Sequence, residues 1–235
     1  MKENIAWITG ASSGIGKELA YKFSNNADNL VLTARSEDKL IKIKDELKSN
    51  KGKCEISSFS ISSNEDVLSF NKDISSKFNI DCLINNAGIT AFKLVNDHTI
   101  DEIQQILEVN LLGSIYATKA VLPGMIERKS GTIINIISVA AEKVFTHSSV
   151  YAASKAGLLA FTKSLREEVR EHNIRVINII PGATKTPIWP ESSAEKFGER
   201  MMKSSDLADM IYNLYENKST VVPEEVVLRP ILGDL

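Results

Sequence analysis

The chain has 235 residues, 43% of them hydrophobic and 25% charged, with a formal net charge of −2 and a pI near 6.0. That length admits one or two domains, and a single α/β domain of this size buries a large core. A balanced charge provides no basic field for nucleic acid or for an anionic membrane surface.

The opening residues, Met1-Lys-Glu-Asn-Ile-Ala-Trp-Ile-Thr9, read as the start of a strand. Their apolar run is too short for a signal peptide, and no stretch approaches the ~20 apolar residues of a membrane span. Residues 5–9 are apolar and closed by Gly10, which predicts a buried strand. Thr9-Gly-Ala-Ser-Ser-Gly-Ile-Gly16 follows, then a predicted helix over 17–23 with Ile15, Leu19 and Phe23 facing inward. Strand, glycine-rich turn and helix together suggest phosphate binding. Gly10 permits the tight turn, while Gly14 and Gly16 let the backbone approach a pyrophosphate at the helix N-terminus, where free N–H groups favour an anion. The alternative is a plain strand-to-helix turn.

Residues 30–34 form the second predicted strand. In dinucleotide folds an acid near its end holds the adenosine ribose, whereas an arginine accommodates a 2′-phosphate. Here the strand ends Thr33-Ala34-Arg35-Ser36, with no acid before Glu37, so Arg35 points to NADP(H) unless it is simply a solvated charge. Ser12 and Ser13 add hydroxyls for the phosphate. A helix over 36–50 turns Leu40, Ile43 and Leu47 inward and keeps Lys39, Lys42, Lys44 and Lys48 in water. A third strand covers 54–60. A helix over 64–77, capped by Asn64, buries Val67, Phe70 and Ile74.

The fourth strand, 82–85, runs into Asn85-Asn86-Ala87-Gly88, small enough to pass a cofactor ring or to be an ordinary turn. A long helical region spans 100–110 and 111–128. Pro123 should kink or end it, and Asn110 inside it needs a partner if buried. The fifth strand runs from Gly131 to Ser138. A helix over 149–172, capped by Ser148 or Ser149, places Leu158, Phe161, Leu165 and Val169 on its apolar side. The sixth strand, 174–180, is broken by Pro181 and Gly182. Residues 183–205 read as a mobile connection, located where lids over sites occur. A helix over 206–216 and a short strand over 225–229 complete the chain. Cys54 and Cys82 lack a Cys-x-x-Cys spacing and read as small hydrophobes in a reducing, cytoplasmic compartment. His98, His147 and His172 have no ligand partners at metal spacing, so they read as surface or loop residues and no metal is expected.

Alternating strands and helices imply an α/β fold. The expectation is a single Rossmann domain over 1–235, with a doubly wound parallel sheet of about seven strands and helices on both faces. Ligands of such sheets sit beyond the carboxyl ends of the strands. Residues 10–16, Arg35, residues 85–88, Ser138, Pro181 and Gly182 all follow strands, so independent motifs converge on one edge.

Tyr151-Ala-Ala-Ser-Lys155 puts a phenol and an ammonium one helical turn apart on one face. A nearby cation favours the phenolate, and a phenol tuned in this way can exchange a proton with a carbonyl or an alcohol. Ser138, at a strand end, can hold the same substrate oxygen. Taken alone, the Tyr/Lys spacing is common on helix surfaces. The surrounding pattern gives it weight.

That pattern, Thr9 to Gly16, Asn85-Asn-Ala-Gly88, Asn110, Ser138, Tyr151 with Lys155, and Pro181-Gly182 with Thr186, resembles the short-chain dehydrogenase/reductase family along nearly the whole chain. The resemblance implies that Tyr151 is the general acid/base. Lys155 would bind the nicotinamide ribose and lower the tyrosine pKa, Ser138 would hold the substrate oxygen, and Asn110 would anchor a relay water. It implies hydride transfer with a small-molecule carbonyl or alcohol, and a homotetramer or homodimer. The implied cofactor site is Gly10, Ser12, Ser13, Gly14, Ile15, Gly16, Arg35, Asn86, Ala87, Gly88, Tyr151, Lys155, Pro181, Gly182 and Thr186, and Arg35 resembles NADP-preferring members. Two departures are Ser60-Ile61, where many members carry an aspartate over the adenine, and the ending Pro230-Ile-Leu-Gly-Asp-Leu235 in place of Asp-Gly-Gly.

The expected function is an NADP(H)-dependent carbonyl reductase or alcohol dehydrogenase. The alternatives are an NAD-linked alcohol oxidation or epimerase-type step, and a dinucleotide-binding sensor without turnover. A sensor has no need of a tuned phenol. Substrate walls are expected from 139–145, His147, 181–184 and 189–202. There Phe145, Trp189, Met201 and Met202 either line an apolar pocket or pack against the core.

Overall fold

The apolar runs pair into one sheet of seven parallel strands in a computed structural model that describes residues 2–26, 28–47 and 51–235. In chain order the elements are β1 (Glu3–Thr9), α1 (Gly14–Asn25), β2 (Leu30–Ala34), α2 (Glu37–Glu46), β3 (Cys54–Ser58), α3 (Asn64–Lys77), β4 (Phe78–Asn85), α4 (Ile100–Leu107), α5 (Gly113–Arg128), β5 (Gly131–Ile136), α6 (Ser149–Val169), β6 (Ile174–Pro181), β7 (Thr184–Lys185), α7 (Glu191–Phe197), β8 (Met202–Lys203), α8 (Ser204–Glu216) and β9 (Glu225–Leu228). The sheet order is β3-β2-β1-β4-β5-β6-β9, so the winding reverses between β1 and β4. A crevice opens beyond the strand ends at such a switch point. β7 and β8 make a separate two-stranded pair.

Both faces are covered, as a parallel sheet requires. Successive residues of β1 show this. Ala6 and Ile8 join Leu19, Phe23, Leu40, Ile43 and Ile211 from α1, α2 and α8, while Ile5 and Trp7 join Val67, Phe70, Val121, Met125 and Leu165 from α3, α5 and α6. Trp7 is fully buried, its ring centroid 4.7 Å from that of Phe70, and its Nε1 donates to Thr33 Oγ1 at 2.9 Å.

Several local expectations are corrected. Ser63, not Asn64, caps α3, its hydroxyl accepting from Asp66 N at 3.2 Å. Ser148 stands at the N-cap of α6 but makes no side-chain cap bond. Pro123 does not end α5, which continues to Arg128. Val121 and Met125 are buried against the sheet, and burial of about 1.5–3 kcal/mol per such side chain offsets the missing backbone bond. The helical region instead changes pitch at Glu108–Leu112, a π turn around Asn110. The helical run Ile100–Arg128 is long and apolar enough to span a membrane by length and composition, contrary to expectation, but half of its apolar window is buried inside the fold. Lys48 and the expected end of its helix at residue 50 lie outside the described residues.

The sheet carries a buried polar ladder at the site end. Asn85, Asn135 and Asn178 stand in register on β4, β5 and β6. Asn85 Nδ2 donates to Asn135 Oδ1 at 2.9 Å and to Thr118 Oγ1 at 3.1 Å, and Asn135 Nδ2 donates to Asn178 Oδ1 at 3.2 Å. Removing the middle rung leaves Asn178 Oδ1 without its partner and Asn85 Nδ2 with Thr118 Oγ1 alone, each lost bond to a buried group costing about 1–3 kcal/mol. Asn135→Ala is therefore expected to lower unfolding free energy by about 2–5 kcal/mol in urea titrations. A loss below about 1 kcal/mol would show that the ladder is not a stabilising element.

Candidate active site

The carboxyl ends of the central strands open on a cavity of about 690 Å³. At its β1 end, Gly10 adopts φ +64°, and a Cβ there would stand 2.7 Å from Ala87 Cα. Glycine is thus required both by the left-handed turn and by the approach of the β4 loop. Ser12, Ser13, Gly14 and Ile15 line the cavity. Ser13 occupies the N-cap of α1 without a side-chain bond, so the first N–H groups of the helix receive no partner from it. Gly16 lies behind this wall. A Cβ there would meet Asn86 Nδ2 at 2.4 Å and Gly10 O at 2.6 Å, so this glycine serves helix-to-loop packing.

Thr9, the strand end that opens the glycine motif, ties the two central strands. Its hydroxyl donates to Ile84 O at 3.2 Å and accepts from Asn86 N and Ala87 N at 3.0 and 3.1 Å. Asn86 Nδ2 returns the contact to Thr9 O at 2.9 Å and Gly10 O at 3.2 Å. Asn86, Ala87 and Gly88 all face the cavity, but the Asn86 amide is committed to the glycine turn. Arg35 lines the far end and is exposed, and its guanidinium makes no ion pair among the described residues.

At the other end α6 presents Tyr151 and Lys155. The Lys155 ammonium is 3% exposed, donates to Ile136 O at 2.8 Å, and lies 5.8 Å from the centre of the Tyr151 ring. Burial pulls its pKa down to about 8. Tyr151 opens on the cavity, yet its phenol is deep enough for burial to raise its pKa, with the Ser138 hydroxyl pulling it back. This reverses the expected direction for the protein alone. The neighbouring cation is engaged by a carbonyl and shifted towards neutrality, so desolvation wins. Ser138 follows β5, and its Oγ accepts from Ala140 N at 3.1 Å.

Asn110 is fully buried and does not touch the cavity. Its Oδ1 accepts from Ile89 N at 2.8 Å, and its Nδ2 donates to Ile89 O at 2.9 Å and Ser154 Oγ at 3.0 Å. The π turn thus joins the β4 loop to the helix carrying Tyr151, whose backbone carbonyl accepts from Ser154 Oγ at 2.7 Å. Ser154 was overlooked, although it stands inside the Tyr151–Lys155 motif.

Pro181, Gly182, Thr184, Thr186 and Trp189 line the cavity, as do Val139, Ala140 and Phe145. Trp189 stacks on Phe92 at 5.1 Å between centroids and 14° between planes, and its Nε1 donates to Thr184 O at 2.9 Å. Phe59, Ser60, Ile61 and Phe92 line it too. His147 is exposed at φ +63° and takes no part. Met201 is buried and Met202 packs against the core, so neither lines the cavity. The His98 ring is not at the surface. Its side chain is 1% exposed, with Nδ1 3.7 Å from Glu102 Oε2.

A family model described as short chain dehydrogenase matches residues 4–196. A sepiapterin reductase of Chlorobaculum tepidum is 34% identical, with 99% of this chain and 98% of that protein covered. An uncharacterised oxidoreductase of Staphylococcus saprophyticus is 32% identical, covering 98% and 99%. Among solved structures, an alcohol dehydrogenase from Thermococcus sibiricus complexed with 5-hydroxy-NADP is 26% identical with a TM-score of 0.89, covering 100% of this chain and 99% of its own. A metagenomic short-chain oxidoreductase in complex with NADP is 30% identical with a TM-score of 0.85, covering 97% of each chain.

The buried ammonium yields a pH signature. Its pKa is lower in the fold than in the unfolded chain, so between about pH 8 and the unfolded value the unfolded state binds more protons and stability rises with pH. Relative to Lys155→Met, the wild type is expected to gain roughly 3 kcal/mol between pH 7 and pH 10.5 in urea titrations. A gap independent of pH would mean that the ammonium titrates as if in water.

Proposed function

Because the chain belongs to the short-chain dehydrogenase family, and so is an oxidoreductase, we propose that it transfers hydride between NADP(H) and a carbonyl or secondary alcohol, with Tyr151 as general acid/base. One observation carries this: Ser138, Tyr151 and Lys155 share a cavity with the glycine turn and Arg35. The NADP complexes among its structural neighbours support the choice of cofactor. The names of the relatives span different substrates, so the proposal stops at the substrate class.

The residues fit a dinucleotide. Ser12, Ser13, Gly14 and Ile15, at the start of α1, would hold the pyrophosphate, with Gly10 and Gly16 setting the backbone that carries them. Arg35 would take the 2′-phosphate. Asn86, Ala87, Gly88, Pro181, Gly182 and Thr186 would flank the nicotinamide end, where Lys155 would hold the ribose. The bound dinucleotide supplies or takes up the hydride.

In the reducing direction, the substrate oxygen sits between Ser138 and Tyr151. Ser138 Oγ already accepts from Ala140 N, which leaves its hydrogen to donate. A phenol with a raised pKa stays protonated at rest and gives its proton to the oxygen as the carbon is reduced. The phenolate that results is stabilised by the Lys155 ammonium, whose own pKa of about 8 suits it to pass a proton back. Asn110 would anchor a relay water from its position between Ile89 and Ser154. Residues 183–205 would act as the lid of a single 1–235 unit. We place the protein in the cytoplasm, in keeping with two free thiols, and as a homodimer or homotetramer.

Tyr151→Phe is expected to lower kcat by at least about 10²-fold in a carbonyl panel read by nicotinamide absorbance, with NADPH affinity little changed. Turnover comparable to the wild type would remove the phenol from the mechanism. Arg35→Asp is expected to raise the KM for NADPH by about 10–100-fold while leaving NADH kinetics near those of the wild type. A wild type that prefers NADH would reject the 2′-phosphate assignment.

A further inference from the structure

At the cavity wall Asp234 gathers three cations, two on its carboxylate and one on its backbone carbonyl. Asp234 Oδ2 accepts from Arg229 Nη1 at 2.6 Å and from Lys143 Nζ at 2.8 Å, and the Asp234 backbone carbonyl accepts from Arg200 Nη2 at 3.4 Å. Arg229 follows β9. Lys143 lies between Ser138 and Phe145, and Arg200 lies between α7 and β8. The Asp234 side chain is 6% exposed, while Lys143 and Arg229 are half exposed. Its Oδ1 has no hydrogen-bond partner among the described residues and lies 3.3 Å from where a Gly182 Cβ would stand. Asp234 and Leu235 both line the cavity.

Each segment joined here also supplies cavity wall. The Lys143 segment carries Ser138 and Phe145, the Arg200 segment carries Trp189 and Phe197, and the tail carries Leu235. Exposed ion pairs hold little. A buried carboxylate differs, because its charge is out of water and depends on the half-exposed Lys143 and Arg229 that face it. We propose that Asp234 is a positioning residue: its carboxylate latches residues 139–145 to the tail and its backbone carbonyl takes Arg200 of residues 183–203, which together fix the wall of the substrate end of the cavity. The kinetic consequence rests on the oxidoreductase function proposed above. The latch itself does not.

The test compares wild type, Asp234→Asn, Asp234→Glu and Lys143→Met by hydrogen–deuterium exchange, thermal melting and kinetics on a carbonyl turned over by the wild type. In Asp234→Asn, peptides covering 139–147 are expected to exchange about tenfold faster and those covering 196–204, held through the tail's backbone carbonyl, by a smaller factor, with β1, β4 and β5 unchanged. The substrate KM is expected to rise about tenfold, with kcat and NADPH affinity within about twofold. Lys143→Met should show the same pattern more weakly, and Asp234→Glu should restore part of it. Unchanged exchange in both segments would overturn the latch, as would equal acceleration in the core strands, which marks a general stability contact. If the wild type turns over no carbonyl, the proposed reaction fails while the exchange arm still decides the latch.

Discussion

A buried ammonium sets the terms for the site. Lys155 is almost fully removed from water and is held by the carbonyl of Ile136, the last residue of a central strand. An amine in that position is costly to keep charged, and its lowered pKa records the cost. The fold meets it through geometry. β5 lies between β4 and β6, so its end carbonyl is a fixed partner, and α6 is fixed by Leu158, Leu165 and Val169 against the sheet. The phenol one turn earlier inherits that placement. Tyrosine above its ordinary pKa and lysine well below its own bring two groups that usually agree closely in acidity into a defined order. At rest the proton stays on the phenol, the state from which an acid can act on a carbonyl.

The two ends of the cavity are kept at a fixed spacing by polar contacts that cross the sheet. Thr9 and Asn86 bind the β1 turn to the β4 loop, Asn110 binds that loop to α6, and the asparagine ladder joins β4 to β6 beneath both. Each contact is short, buried or half-buried, and made by a side chain with few other choices. Such preorganisation would matter for the proposed hydride transfer, where a misplacement of about 1 Å can cost about 10²-fold in rate. The other wall is built differently. Residues 139–145, 183–203 and the tail are joined by the Asp234 contacts, the β7–β8 pair and one aromatic stack, at the end of the cavity where the proposed substrate would bind.

Much of this was legible in the sequence because it is local. A short apolar run and helical spacing placed β2 and α3 at their observed limits, and the four-residue step from Tyr151 to Lys155 needs only helix geometry. The strand ends gathered the motifs on one edge because a parallel sheet leaves no other arrangement. The misses are of two kinds. Some are balances between close competitors: Ser63 against Asn64 as a cap, or packing of Val121 and Met125 against the backbone bond lost at Pro123. Others are pairings between residues far apart in the chain, such as Asn85 with Asn135, Lys143 with Asp234, and Gly16 with Asn86, which no periodicity encodes. The direction of the Tyr151 shift belongs to the second kind, since spacing reveals the cation but not the depth at which both groups are buried.

Burial also separates the electrostatics of the two ends. Arg35 is exposed, and charges in water are screened over about 8 Å at physiological salt. Its pull on the proposed 2′-phosphate would therefore rest on direct contact at short range and weaken as ionic strength rises. Lys155 acts inside the protein, where counterions do not reach and the effective dielectric is far lower. In the proposed reaction, cofactor choice and proton transfer would thus answer to different variables: the first to the salt around the protein, the second to the packing that keeps water from the ammonium. A substitution that loosens α6 against β5 would hydrate Lys155, return its pKa towards the ordinary lysine value and strengthen the cation felt by the phenol, while leaving Arg35 untouched.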